Sequence, residues 1–178
     1  MPAIAIIALI AVMILWGSAV MIPAPTGSMR TSPQGRNDII RHEGIRYDPY
    51  QDSAGFWTVG IGHKIVPGDG VARDAAGNYL PIDETLLMTL FETDLMHAEN
   101  AVRKHVRVPL TQGQFDALAD FVYNLGAGAF AGSTLLRRLN EGDYPAAADE
   151  FKRWVYAGNM RISGLIERRK DNYRTFIA

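Results

Sequence analysis

The 178-residue sequence contains no cysteine. A disulfide framework, a thiol nucleophile and a cysteine-ligated metal site are excluded, and the redox compartment is left open. Histidine is scarce too: His42, His63, His97 and His105 lack the close helical pairing of a zinc hydrolase, so neither a metal nor a cofactor is expected. Internal repeats are missing, as is any zinc, helix-turn-helix or RNA-binding signature, and no nucleic-acid partner is expected. No charged side chain occurs before Arg30.

That early absence marks a different material. Residues 3–16, "AIAIIALIAVMILW", are continuously apolar, and after Gly17 and Ser18 the run continues through Ile22. About 20 apolar residues are what a helix needs to cross the hydrocarbon layer, whereas a soluble core helix would show a polar face. Residues 1–25 are therefore read as a membrane or export segment. Gly17-Ser18-Ala19 is a passable cleavage site without a basic start before the run. Arg30, Arg36 and Arg41 follow it, and the positive-inside rule would keep that side in the cytoplasm. Cleaved signal and permanent anchor both stay open, as does orientation. "PAPTGSMRTSPQG", residues 23–35, is rich in Pro, Gly and Ser, and residues 26–35 are expected to be a flexible tether.

Length allows one folded unit, at most two-lobed. Charge is nearly balanced overall at −1 but unevenly placed: residues 30–102 carry 6 Lys/Arg against 11 Asp/Glu, and residues 103–178 carry 12 against 8. A basic C-terminal half can steer an anionic polymer to a site. "GRNDIIRHEGI" reads as a short helix capped by Asn37 or Asp38 and ending near Glu43. Turn signals at Asp48-Pro49, Ser53-Ala54-Gly55 and Pro67-Gly68 surround β-prone runs such as "FWTVGI", which predicts a small antiparallel sheet. From Asp83, Leu87, Leu90, Phe91, Leu95, Ala98 and Val102 recur at helical steps.

Thr111 with Gln114 makes a capping box, and Gly126 ends that helix. Ser133 caps "TLLRRLNEG", "PAAADEFKRWVYAG" reads as a helix from Pro145 to Gly158, and Ser163 opens the last one. The expectation is α+β: a sheet lobe at about 36–82, a linking helix at about 83–106 and a helical lobe at about 107–178, with a cleft between the lobes.

"RHEGIRYDPYQDSAGFWTVGIGH", residues 41–63, puts Glu43 at a helix end near apolar Ile45 and Trp57, and Asp52 in a polar turn. Carboxyl groups in contrasting surroundings suit an acid and a base, the pair that glycosidic hydrolysis requires. A helix-end Glu and a turn Asp are also ordinary surface choices, so this reading stays open on residues alone.

The spacing of Glu43, Asp52 and Thr58 within "HEG" through "WTVGIGH" resembles the signature of the phage-type, T4-lysozyme-like lysozymes, glycoside hydrolase family 24. "QFDALADFVYNLGAGAFAGSTLLRRLNEGDYPAAADEFKRWVYAG" followed by "GLIERR" is similar to the helical lobe of the same family, so the resemblance spans about residues 36–178. It implies a lysozyme-like fold and a muramidase cutting the β-1,4 bond between N-acetylmuramic acid and N-acetylglucosamine with inversion. Glu43 would be the general acid, Asp52 the carboxylate that activates water, and Thr58 the hydroxyl that places it. The resemblance also implies a structural role for His63, paired with Asp94, and substrate contacts for Tyr123, Asn124, Trp154 and Arg161. For those four, core packing and internal ion pairing compete with the binding role. "GAGAF" is not a phosphate loop.

A muramidase implies peptidoglycan as partner and an export route. Residues 3–22, with Ala, Gly and Ser among the Ile and Leu, resemble a signal-anchor-release segment, which would tether the enzyme to the inner membrane and then release it to the periplasm. A monomer is expected. Two other functions stay open: a lytic transglycosylase, and an inactive membrane-tethered peptidoglycan-binding protein.

Overall fold

The longest helix among the described residues, α2 (Glu84–His105), begins where the sequence supplies a cap: the Asp83 side chain accepts the Leu86 backbone N–H. The computed structural model describes residues 26–52 and 54–178; the segment expected at residues 1–25 lies outside them. On α2, Leu87, Leu90, Phe91, Leu95, Ala98 and Val102 are all buried, because their three- and four-residue steps line one side of a helix. The N-terminal part of this stripe packs with Ile39, Val59, Ile61 and Ile82 in a small core. Its C-terminal part packs with Phe115, Leu118, Phe121, Leu135 and Phe151 in a larger one. One helix thus serves two cores and joins two lobes. Among the described residues, no helix is long and apolar enough to cross a membrane.

The small lobe holds a three-stranded antiparallel sheet, ordered β1 (Arg46–Gln51), β2 (Trp57–Gly60), β3 (His63–Lys64). Pairing of Gln51 with Trp57 and of Val59 with His63 sets its register. In the large lobe, α3 (Gln112–Leu125) starts with the Thr111–Gln114 capping box and packs against α2 and α7 (Ser163–Ile177). Ser133 caps α5 (Thr134–Asn140).

Three expectations are corrected and one element is added. The first helix, α1 (Pro33–Glu43), starts earlier than Asn37: the Ser32 side chain caps it and Pro33, with no N–H to lose, fills its first position. Residues 29–35 are not a free tether. Met29 is buried in the larger core, Thr31 N–H donates to buried Glu99 at 2.7 Å, and Ser32 N–H donates to Asp116 at 2.9 Å. Arg30 and Arg103 complete the Glu99 cluster. Burial works against the Glu99 charge, but these donors outweigh it and hold the carboxyl below its ordinary value. Residues 145–158 are not one helix: α6 (Tyr144–Glu150) passes into a 3-10 turn at Phe151–Arg153 and then the hairpin β4 (Tyr156–Ala157) and β5 (Met160–Arg161). Phe151, fully buried, takes the chain into the core there. The stretch between Gly126 and Ser133 holds an unanticipated short helix, α4 (Ala127–Ala131).

Close packing of α3 on α7 depends on a missing side chain. A methyl group at Gly113 would lie 2.5 Å from the Thr175 carbonyl oxygen, and backbone cannot swing away as a side chain would. Gly113→Ala is expected to lower stability by about 1–3 kcal/mol, the usual range for overpacking. Gly128→Ala, facing open space, is expected to leave the urea midpoint within experimental scatter or raise it slightly.

Candidate active site

A cleft of about 780 Å³ between the lobes is lined by Glu43, Asp52, Thr58, His63, Tyr123 and Asn124, among others. Glu43 ends α1, so its side chain leaves the helix toward the sheet lobe. Its Oε1 accepts from Arg168 Nη1 at 2.5 Å. Its Oε2 lies against Gly62, where an added Cβ would stand 2.8 Å away. Gly62, in the β2–β3 turn, has φ of +73°, a conformation that also favours glycine.

Asp52 follows β1. Its Oδ1 accepts the backbone N–H groups of Ala54 and Phe56, each at 2.9 Å, which fixes the carboxylate within the hairpin turn. Thr58, buried on β2, donates its hydroxyl proton to the Phe56 carbonyl at 3.2 Å. Its oxygen lone pairs are thereby left to accept, which is what a hydroxyl needs to orient a water.

Behind Glu43 stands a buried ionic network that the sequence reading missed. Arg168 on α7 is 4% exposed and donates through Nη2 and Nε to Asp120 on α3, at 2.7 and 3.2 Å. Asn172 also donates to Asp120, and His42 Nδ1 lies 3.4 Å from it. Burial alone would raise the Asp120 pKa, but His42, Arg168 and Asn172 reverse that and hold it far below the usual carboxylate range. For Arg168, burial opposes the charge and the Asp120 and Glu43 carboxylates overcome it, so its pKa is raised. Neighbouring Arg169 is pushed down to about 10 by burial and by the Arg168 charge.

His63 sits between two carboxylates, with Nδ1 2.8 Å from Asp94 and Nε2 3.2 Å from Asp69. Asp94 pairs with it as expected from the sequence; Asp69 was not anticipated. Burial disfavours the charged ring, yet the two carboxylates prevail and raise its pKa.

The four expected substrate contacts divide. Tyr123 and Asn124 line the cleft, but each also has an internal task. Tyr123 donates its hydroxyl to the Ile61 carbonyl at 2.6 Å, and burial, then the Asp94 and Glu43 charges, push its pKa strongly up. Asn124 accepts from Arg169. Trp154 and Arg161 are not among the cleft-lining residues. Trp154 packs edge-on against Phe121 because the helical core claims its ring. Arg161 is exposed on β5, where the hairpin carries it.

Two outcomes follow from these pairings. Arg168→Met leaves two carboxylates without their cation and is expected to cost about 3–5 kcal/mol in urea unfolding, as breaking a buried ion pair does. His63 stays charged when folded at pH values where the unfolded chain has lost the proton. Its contribution is therefore complete below about pH 6.5, the ordinary histidine value, and is lost as pH rises through the raised folded-state value. The stability gap between wild type and His63→Ala should narrow from about pH 6 to pH 9, while a His63→Ala/Asp94→Ala cycle should show coupling of about 0.5–2 kcal/mol at the lower pH.

Comparison with known proteins bears on the whole of this arrangement. The family model "Phage lysozyme" matches residues 40–172. The endolysin of Salmonella phage P22 is 41% identical over 144 residues, covering 80% of this chain and 95% of that protein. The SAR-endolysin of Escherichia phage Mu is 41% identical over 135 residues, covering 76% and 74%. Among solved structures, the muramidase domain of SpmX from Asticaccaulis excentricus superposes with a TM-score of 0.72 at 33% identity, covering 84% of this chain and 98% of that one. A P22 lysozyme mutant superposes at 0.68 and 36% identity, covering 84% and 99%. The matched span runs from the last turn of α1 into α7 and takes in both lobes and the cleft, and the chain belongs to the phage lysozyme family of glycoside hydrolases.

Proposed function

We propose that the protein is an endolysin that hydrolyses the β-1,4 bond between N-acetylmuramic acid and N-acetylglucosamine in peptidoglycan, with inversion, to lyse a bacterial host. The observation that carries this reading is the convergence of Glu43, Asp52 and Thr58 on one open cleft. In this reading a protonated Glu43 gives its proton to the leaving glycosidic oxygen. Asp52 takes a proton from a water held by the Thr58 hydroxyl oxygen, and that water attacks the anomeric carbon from the opposite face. Arg168 fixes one oxygen of Glu43 and leaves the other, beside Gly62, for the substrate. Tyr123 and Asn124 form part of the cleft wall along which the glycan lies.

The N-terminal apolar run supplies the route to that substrate. Residues 3–22 act as a signal-anchor-release segment that tethers the enzyme to the inner membrane before release to the periplasm; the SAR-endolysin of phage Mu among the relatives supports this.

The test is digestion of purified sacculi by the full chain in mild detergent, with products read by mass spectrometry. Wild type is expected to release muropeptides with reducing ends, and Glu43→Gln and Asp52→Asn each to lose about 100- to 10,000-fold in rate, the scale of acid–base catalysis. Anhydro ends would reassign the protein as a transglycosylase, and binding without digestion by folded wild type would make it a binding protein.

A further inference from the structure

The basic charge of the C-terminal half is not absorbed by the cleft. Much of it gathers where α2 ends. A groove of about 540 Å³ there is lined by His105, Arg107, Arg137 and Asn140, together with Ala131 and Glu141. Asn140 closes its floor, donating to the His105 carbonyl at 3.0 Å and accepting the Arg107 N–H at 2.8 Å. Lys104 is exposed one position before His105, and Arg138 shares Glu141 with Arg137. Around this end stand Arg30, Arg103, Lys104, Arg107, Arg137 and Arg138 against Glu99, Asp116, Glu141 and Asp143, two positive charges in excess.

The same end receives the N-terminal segment. Arg103 donates to the Met29 carbonyl at 2.7 Å, and Gln112 to the Arg30 carbonyl at 2.8 Å, so residues 29–30 are fastened beside the final turn of α2. Ile22, the last residue of the apolar run, stands four residues before Thr26. The fastening begins at Met29, and the seven residues from Ile22 to Met29 span at most about 25 Å. If residues 3–22 lie in a membrane, as the proposed function holds, this end stays within that reach of it, and lipid charge, which screening in physiological salt confines to about 8 Å, is felt whenever the body turns this end toward the surface.

We infer that the basic end of α2 and α5 docks on anionic phospholipid headgroups, and that this contact orients the tethered enzyme against the membrane. The inference rests on the membrane reading of residues 3–22, whereas the hydrolytic reading of the cleft is independent of it. Each Lys or Arg brought to an anionic surface strengthens association about fivefold, so the excess charge supplies a contact that is firm while the tether enforces proximity and weak after release.

The test uses the full chain, whose lack of cysteine makes one introduced thiol the only label site. Ala131→Cys, exposed in the groove, and Ala75→Cys, exposed in the sheet lobe as control, are each mixed with vesicles of phosphatidylcholine or of phosphatidylcholine with one-third phosphatidylglycerol. Flotation is measured, and then maleimide labelling rate. Expected are flotation with both vesicles and several-fold slower labelling of Ala131→Cys, but not Ala75→Cys, on the anionic ones. That protection should vanish with Arg107→Glu/Arg137→Glu, or in about 1 M salt where screening acts over about 3 Å, while digestion of sacculi by the double variant stays at the wild-type rate. Equal labelling on both vesicles, or protection that survives charge reversal, overturns the inference. Flotation with anionic vesicles alone, lost on charge reversal, supports the basic face and removes the membrane reading of residues 3–22; flotation with neither removes both. If charge reversal instead weakens pelleting with sacculi and leaves vesicle protection intact, the face is a wall-binding surface and the inference fails.

Discussion

A guanidinium as deeply buried as that of Arg168 is tolerable only where opposite charge is brought in with it, because desolvating an unpaired ion costs far more than a domain's net stability. Three helices make that compensation. From α7 come Arg168 and Asn172, from α3 comes Asp120, and from α1 come His42 and Glu43. Moving any of these helices would leave a charge buried without its partner, so the network acts as a register pin for the helical lobe and for α1 together. Glu43 belongs to the pin and to the cleft at once. Its position is therefore a property of the fold, set by contacts 125 residues away in sequence, and not of the loop that follows it.

The cleft exists because α2 carries one apolar stripe through two cores. Where the stripe passes from the small core to the large one, Tyr123 touches both and ties α3 to the β2–β3 turn through the Ile61 carbonyl. The ring tilts against Phe91, with centroids 5.9 Å apart. Across this joint the glycine at position 62 leaves room for the Glu43 carboxylate. His63, next in the chain, is held from either side by Asp69 and Asp94. The sheet lobe thus meets α2 through an ionic clamp and α3 through a hydrogen bond, and the space between them stays open to solvent.

Much of this was legible because it is local. The stripe on α2, the Thr111–Gln114 box and the Ser133 cap are decided within one or two turns, and sequence periodicity reads such features directly. Glu43, Asp52 and Thr58 were legible through their spacing, and the folded chain gathers them in one cleft. Arg168, Asp120 and Asn172 were not, since a charged side chain on a helix reads as solvated until its partner on another helix is known. Pairings at separations of 48 and 52 residues leave no local trace. Residues 145–158 failed for a related reason: their composition suits a helix, but burial of Phe151 and the pairing of Tyr156 with Arg161 outweigh local preference. Ser32-Pro33 was a local start signal, hidden in a stretch whose Pro, Gly and Ser content suggested slack.

That stretch changes how the N-terminal segment is coupled to the cleft. From Met29 onward the chain is fixed in sequence by Arg103, Glu99, Gln112 and Asp116, and at Ser32 it becomes the cap of α1. Helix α1, 11 residues and so about 16 Å long, then runs to Glu43 without a hinge. A force applied at Thr26 meets the buried Glu99 cluster and Asp116 before it reaches α1. Both clamps consist of charge-assisted hydrogen bonds, the strongest kind available to a polar contact, and each is centred on a buried carboxylate, Glu99 or Asp116. A tether attached here would hold the body as a rigid unit, and the helix bearing Glu43 would shift only after both clamps had opened.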